Sequence, residues 1–158
     1  MRVHELALSH FTVAPVIEVR RRDPGADPHW KPNGLWVSVD GADDWLTYCR
    51  RTRVRSLPTS YPHRYSVRLR KDCRVALLES LEDMEIFSEM YPGWRPYENA
   101  RLWGRVAEEW DGIIVAPFQP WANFANERFY WYTAWDCASG CIWDPRAIDG
   151  PRKSLFTD

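Results

Sequence analysis

No apolar run in this 158-residue chain approaches the ~20 residues that a membrane-crossing helix needs. Gly-x-Gly-x-x-Gly and Walker-type loops are absent, which removes the usual phosphate cradles. No Gly-x-Ser-x-Gly elbow occurs, and the 4 histidines fall in no Ser-His-Asp or Cys-His spacing. Cysteine is sparse: Cys49, Cys73, Cys137 and Cys141, with no Cys-x-x-Cys pair. The Cys137/Cys141 gap is wider than zinc knuckles use, so no metal is expected. The first residues, Met1-Arg-Val-His-Glu, lack a signal peptide's apolar core. The expectation is therefore a cytoplasmic protein with reduced, structural thiols and no membrane partner.

Tryptophan is abundant instead. There are 10, where roughly two would be average for this length. Trp36, Trp45, Trp135 and Trp143 stand in or beside turn-forming stretches rich in polar residues. An indole offers a flat apolar face and one N–H donor, so it suits a pocket for a flat, partly polar ligand. The alternative is that the aromatics simply build a dense core.

The near-neutral net charge of −1 hides an asymmetry: residues 1–74 carry 14 Lys/Arg against 8 Asp/Glu, and residues 75–158 carry 7 against 14. The basic excess peaks from Arg50 to Arg74, beginning with Arg50, Arg51, Arg53 and Arg55. Such a stretch can meet phosphates of a nucleic acid or a dinucleotide, or can pair with the acidic half.

Length predicts a single domain over 1–158, with a core from about 2 to 145 and a loosely held tail over 146–158. Strands are expected at 2–10, 34–39, 65–70, 74–78, 113–116, 129–135 and 140–143. Helices are expected at 42–51, from Ser80 to Met90 with Asp83 completing a capping box, and at about 99–110. Strands at both ends with helices between argue for an α+β fold, its sheet mixed or mostly antiparallel.

Three polar groups stand out. His10 ends the first strand, where an imidazole can be aimed into a cleft. Ser38 ends the second strand and can bond a ribose or an amide. Asp136, Ser139 and Asp144 lie in a compact polar turn with two tryptophans, where a carboxylate can stabilise an oxocarbenium-like sugar, or where Asp136 and Ser139 merely cap the turn.

Leu8-Ser-His10, then Gly34-Leu-Trp-Val-Ser38, then Trp45 and Tyr48 on a following helix, resemble the front half of the ADP-ribosyltransferase fold. Gly140-Cys-Ile-Trp-Asp144 is similar to the strand that carries the catalytic glutamate in its poly(ADP-ribose) polymerase-type branch. The resemblance covers about a third of the chain, in three short patches. It implies a split mixed or antiparallel sheet with short flanking helices, and NAD as substrate. It implies that His10 holds a ribose, that Gly34, Trp36 and Ser38 lie on the nicotinamide strand, and that Tyr48 or Trp45 stacks on the nicotinamide. The chain departs from the pattern at the catalytic acid: Ser139 stands where that branch has Glu, and Asp136 is the nearest carboxylate upstream. Relatives of that fold lacking the glutamate include RNA 2′-phosphotransferases and RES-type toxin domains. Trp131 to Asp144 also resembles part of a small phage and bacterial family. The expected activity is NAD-dependent transfer of ADP-ribose to a nucleic acid or protein, or NAD hydrolysis. A nucleic-acid-binding module and a phage-type module that binds a host protein are the competing readings.

Overall fold

A computed structural model describes residues 1–15, 17–26, 31–53, 60–95, 99–122 and 127–154, with only the main chain for 151–154. Seven strands form one mixed sheet: β1 (Leu8–Thr12), β2 (Leu35–Val39), β3 (His63–Leu69), β4 (Val75–Leu78), β5 (Gly112–Val115), β6 (Ser139–Ile142) and β7 (Ile148–Ser154). Their order across the sheet is β4-β5-β6-β2-β1-β3-β7. Only β4 and β5 run parallel; the other five neighbouring pairs are antiparallel. A parallel pair needs a crossover. Helices α2 (Leu81–Met90) and α3 (Asn99–Glu109) supply it, and α1 (Trp45–Thr52) follows β2. The architecture is α+β, as the element order predicts.

Local signals set the helix starts. Asp44 caps α1 by accepting from the Thr47 N–H at 2.7 Å. Ser80 accepts from the Asp83 N–H at 3.1 Å, and Asp83 accepts from the Ser80 N–H at 3.0 Å, so the expected capping box forms.

Both faces of β5 and β6 are covered. Every residue of β5 is buried. Ile113 and Val115 face a cluster with α2 and α3, whereas Ile114 faces a second cluster with Leu8, Val37 and Val67. This is the period-2 alternation of a strand buried on both sides. The first cluster is largely aromatic: Phe87, Trp94, Trp103, Trp131, Trp135 and Trp143 pack in it. Trp131 Nε1 donates to Ser88 Oγ at 2.9 Å.

Three expectations are corrected. The first strand does not begin at residue 2: Val3–Glu5 is a 3-10 turn, and pairing starts at Leu8. The aromatic run 129–135 is not a strand: Glu127–Tyr132 is 3-10 helical, and its rings fill the space under α2. Residues 148–154 are not a loose tail: they pair with β3 as β7, behind a buried Ala147. Arg55, in the basic stretch, lies outside the described residues.

Candidate functional site

A cavity of about 210 Å³, open to solvent, lies against β1, β2 and the entry to β6. Ser9, His10 and Phe11 line it from β1, and Trp36, Val37 and Ser38 from β2. Trp45 lines it from the first turn of α1, and Asp136, Cys137 and Ser139 from the β6 entry. Lys31 and Tyr61 complete the wall. Antiparallel pairing creates this meeting point. Ser38 stands opposite Ser9 on one side and opposite Ser139 on the other, so residues about 100 positions apart in sequence share one stretch of sheet.

His10 is half-buried. Its Nδ1 lies 2.6 Å from the Trp36 carbonyl oxygen, which can only accept, so Nδ1 carries the proton. Burial lowers the ring's pKa, and the bond to Trp36 opposes that only in part. At neutral pH the ring is neutral, and Nε2 is an acceptor suited to a hydroxyl or amide donor.

The two cavity indoles are held differently. Trp36 Nε1 donates to the Pro32 carbonyl at 3.2 Å, and its ring meets Trp135 edge-on at 5.0 Å. The Lys31 ammonium sits 5.0 Å from the Trp36 ring centroid, within cation–π range. Trp45 is stacked on Tyr48, with centroids 5.4 Å apart and planes 23° from parallel. Tyr48 therefore forms the layer behind Trp45, and of the two it is Trp45 that lines the cavity.

Asp136 is the cavity's carboxylate. The Tyr48 phenol feels its charge. Burial raises the Tyr48 pKa, and Asp136 raises it further, so the phenol stays protonated. Lys31 feels the same carboxylate: burial lowers its pKa, and Asp136 partly restores it. Tyr48 and Asp136 are 88 residues apart in sequence and meet because α1 packs over the β6 entry, where the Ala138 N–H donates to the Asp43 carbonyl at 2.8 Å.

Both serines carry structural duties. Ser38 Oγ accepts from the Trp45 N–H at 2.9 Å and anchors the start of α1. Ser139 Oγ donates to the Cys137 carbonyl at 3.0 Å within its turn. Cys137 lines the cavity but is a poor nucleophile, because burial pushes its thiol up to about 12. Burial also raises Cys141. No disulfide joins any of the four cysteines.

Gly34 is not among the lining residues. A Cβ there would lie 2.6 Å from Cys141 Sγ and 2.7 Å from the Ile142 carbonyl oxygen, so this glycine lets β2 and β6 approach. Arg50, Arg51 and Arg53 are exposed at the C-terminal end of α1, outside the cavity lining. There they favourably meet the helix's negative end. Further along the basic stretch, Arg64 pairs with Asp40 at 3.2 Å, and Arg74 pairs with Asp111 at 2.9 Å.

Five of the tryptophans, Trp94, Trp103, Trp131, Trp135 and Trp143, are core, and Trp121 is 81% exposed. Trp135 and Trp143 thus belong to the packing reading, and Trp36 and Trp45 to the cavity. Sequence reasoning missed Lys31 and Tyr61. Lys31 precedes a proline in a loop, and no motif marks it.

Among the described residues, no group of three or more His, Cys, Asp or Glu side chains is placed to hold a metal ion, and no helix is long and apolar enough to cross a membrane. Comparison with protein-family models, with curated proteins and with solved structures finds no match to this chain.

Proposed function

We propose that the chain is an NAD-dependent, ADP-ribosyltransferase-like enzyme that cleaves the nicotinamide–ribose bond in the cavity beside β2. The observation that carries this reading is the convergence of His10, Trp36, Ser38, Trp45, Asp136 and Ser139 on one cavity, although they come from distant parts of the chain. An arrangement of ADP-ribosyltransferase type requires such a meeting of the first strand, the second strand and the last central strand.

Each group has a chemical task in this reading. Trp45, backed by Tyr48, gives the nicotinamide ring a stiff stacking surface. The neutral His10 accepts a ribose hydroxyl at Nε2. As the glycosidic bond lengthens, positive charge develops on the ribose, and the Asp136 carboxylate stabilises it from a fixed position. The protonated Tyr48 phenol, whose pKa that carboxylate raises, is the donor available to steady it. Ser38 and Ser139, each committed to local hydrogen bonds, shape the site without serving as nucleophiles. The acceptor is water, a protein or a nucleic acid; Arg50, Arg51 and Arg53 form the exposed basic patch that a nucleic-acid acceptor would meet.

The test is incubation with NAD labelled in its adenylate phosphate, together with cell lysate later separated into DNA, RNA and protein. Label fixed in one fraction identifies a transferase and its acceptor class. Free labelled ADP-ribose identifies a hydrolase. In Asp136→Asn, turnover is expected to fall by about 100-fold or more, the scale of losing one preorganised electrostatic group. Intact NAD in every fraction would falsify the proposal.

A further inference from the structure

The one charged group of the cavity that the proposed chemistry leaves idle is Lys31. Its ammonium lies against the face of Trp36, 5.0 Å from the centroid, in a half-buried position on the cavity wall. No carboxylate among the described residues forms an ion pair with it. Asp136 attracts it across the cavity without closing on it. An aromatic face offsets only part of the desolvation of an ammonium, so this cation is incompletely compensated as it stands. An anionic group entering the cavity would complete its coordination. The same cavity is lined by the Trp45 ring, which is stacked on Tyr48. A cation and a stacking surface in one cavity match a ligand that carries both a ring and a phosphate.

We propose that Lys31 is the anion-binding residue of this cavity, and that the ligand it selects is a nucleotide, one phosphate oxygen accepting from the Lys31 ammonium while a ring of the ligand lies against Trp45. This inference rests on the functional reading above only in taking the cavity to be the ligand site. It does not require that NAD be cleaved. It assigns selectivity for phosphorylated over unphosphorylated ligands to a residue outside the strand motifs.

The experiment is calorimetric titration of the full chain with ADP, NAD, adenosine and inorganic pyrophosphate, in the wild type, Lys31→Met and Lys31→Arg. Methionine keeps the stem that covers Trp36 and removes the charge. ADP and NAD are expected to bind the wild type and to weaken about ten- to hundredfold in Lys31→Met, the scale of losing one charge-assisted hydrogen bond. Lys31→Arg should restore most of the loss, and adenosine should bind both proteins alike. Pyrophosphate should bind more weakly than ADP.

Equal binding of ADP and NAD to the wild type and Lys31→Met overturns the inference and leaves the NAD reading standing. A parallel loss of adenosine binding also overturns it, because Lys31 would then be shaping the cavity. Pyrophosphate binding as tight as ADP overturns the nucleotide assignment. No binding of ADP or NAD to the wild type overturns both proposals. Lys31-dependent ADP binding, with NAD left intact in the labelling assay, upholds this inference and removes the NAD-cleaving one.

Discussion

Replacing Trp131 with alanine should cost this protein much of its stability, whereas the same change at Trp121 should cost almost nothing. Trp131 is 0% exposed, with the Phe87 ring at 4.8 Å, Trp135 at 6.1 Å and Trp103 at 6.2 Å. Truncating a core aromatic costs about 3–5 kcal/mol, cavity included. The change also strands the Ser88 hydroxyl, which is 6% exposed and receives the Trp131 N–H. Losing a partner of that kind adds about 1 kcal/mol. The sum, about 4–6 kcal/mol, rivals the total stability of a marginal domain of this size. Trp121 is 81% exposed, and surface changes of this sort stay within about 0.5 kcal/mol. Urea unfolding followed by far-ultraviolet circular dichroism reads both, because that signal does not depend on the deleted indole. Equal midpoints for the two variants would refute the assignment of Trp131 to the core. So would a loss below about 1 kcal/mol in Trp131→Ala.

Two further outcomes follow from geometry. The Asp144 side chain is 5% exposed and takes hydrogen bonds from the Arg146 main chain and guanidinium, so Arg146 holds its carboxyl below the usual carboxylate range. A lowered folded-state value means that its contribution is present above the unfolded value, ~3.9, and is lost as pH falls through the folded one. Acid unfolding of Asp144→Asn should therefore show a shallower stability slope below about pH 4 than the wild type, and an identical slope would count against the pairing. Gly34→Ala pushes a Cβ to 2.7 Å from the Ile142 carbonyl oxygen, so β2 and β6 must part. A loss of about 1–3 kcal/mol is expected in thermal unfolding, and an unchanged midpoint would show that the strands have room.

What could be read from the sequence is what local chemistry decides. The Ser80–Asp83 capping box is complete within four residues, and it forms as expected. The helical spacing of Leu102, Trp103 and Val106 places all three in the core. The strands bearing His10 and Ser38 were legible for the same reason, but His10 stands at the centre of Leu8–Thr12 and not at the strand's end, because pairing with β3 carries the strand on to Thr12. What failed depended on distant partners. Phe129 to Trp135 has the composition of a strand, but its rings are claimed by the cluster under α2, and burial outweighs β propensity. Ile148–Ser154 carries Gly150 and Pro151 and lacks alternation, so it reads as a tail. It pairs because it lies at the sheet edge, where a proline is tolerated, beside an irregular register between Val67 and Leu69. Lys31 and Tyr61 carry no local motif and reach the cavity wall only once the fold has brought β1, β2 and the Asp136–Ser139 segment together.

The sheet order has a consequence for the chain as it is made. β2 finds its second neighbour only in β6, with Leu35 opposite Ile142 and Ser38 opposite Ser139. Until β6 leaves the ribosome, the cavity lacks the wall that carries Asp136. A nascent chain holding His10, Trp36 and Trp45 alone has no assembled site, however well its own strands pair. Whatever chemistry the cavity performs, it waits until the segment from Asp136 to Ile142 has joined the strands that carry His10 and Trp36.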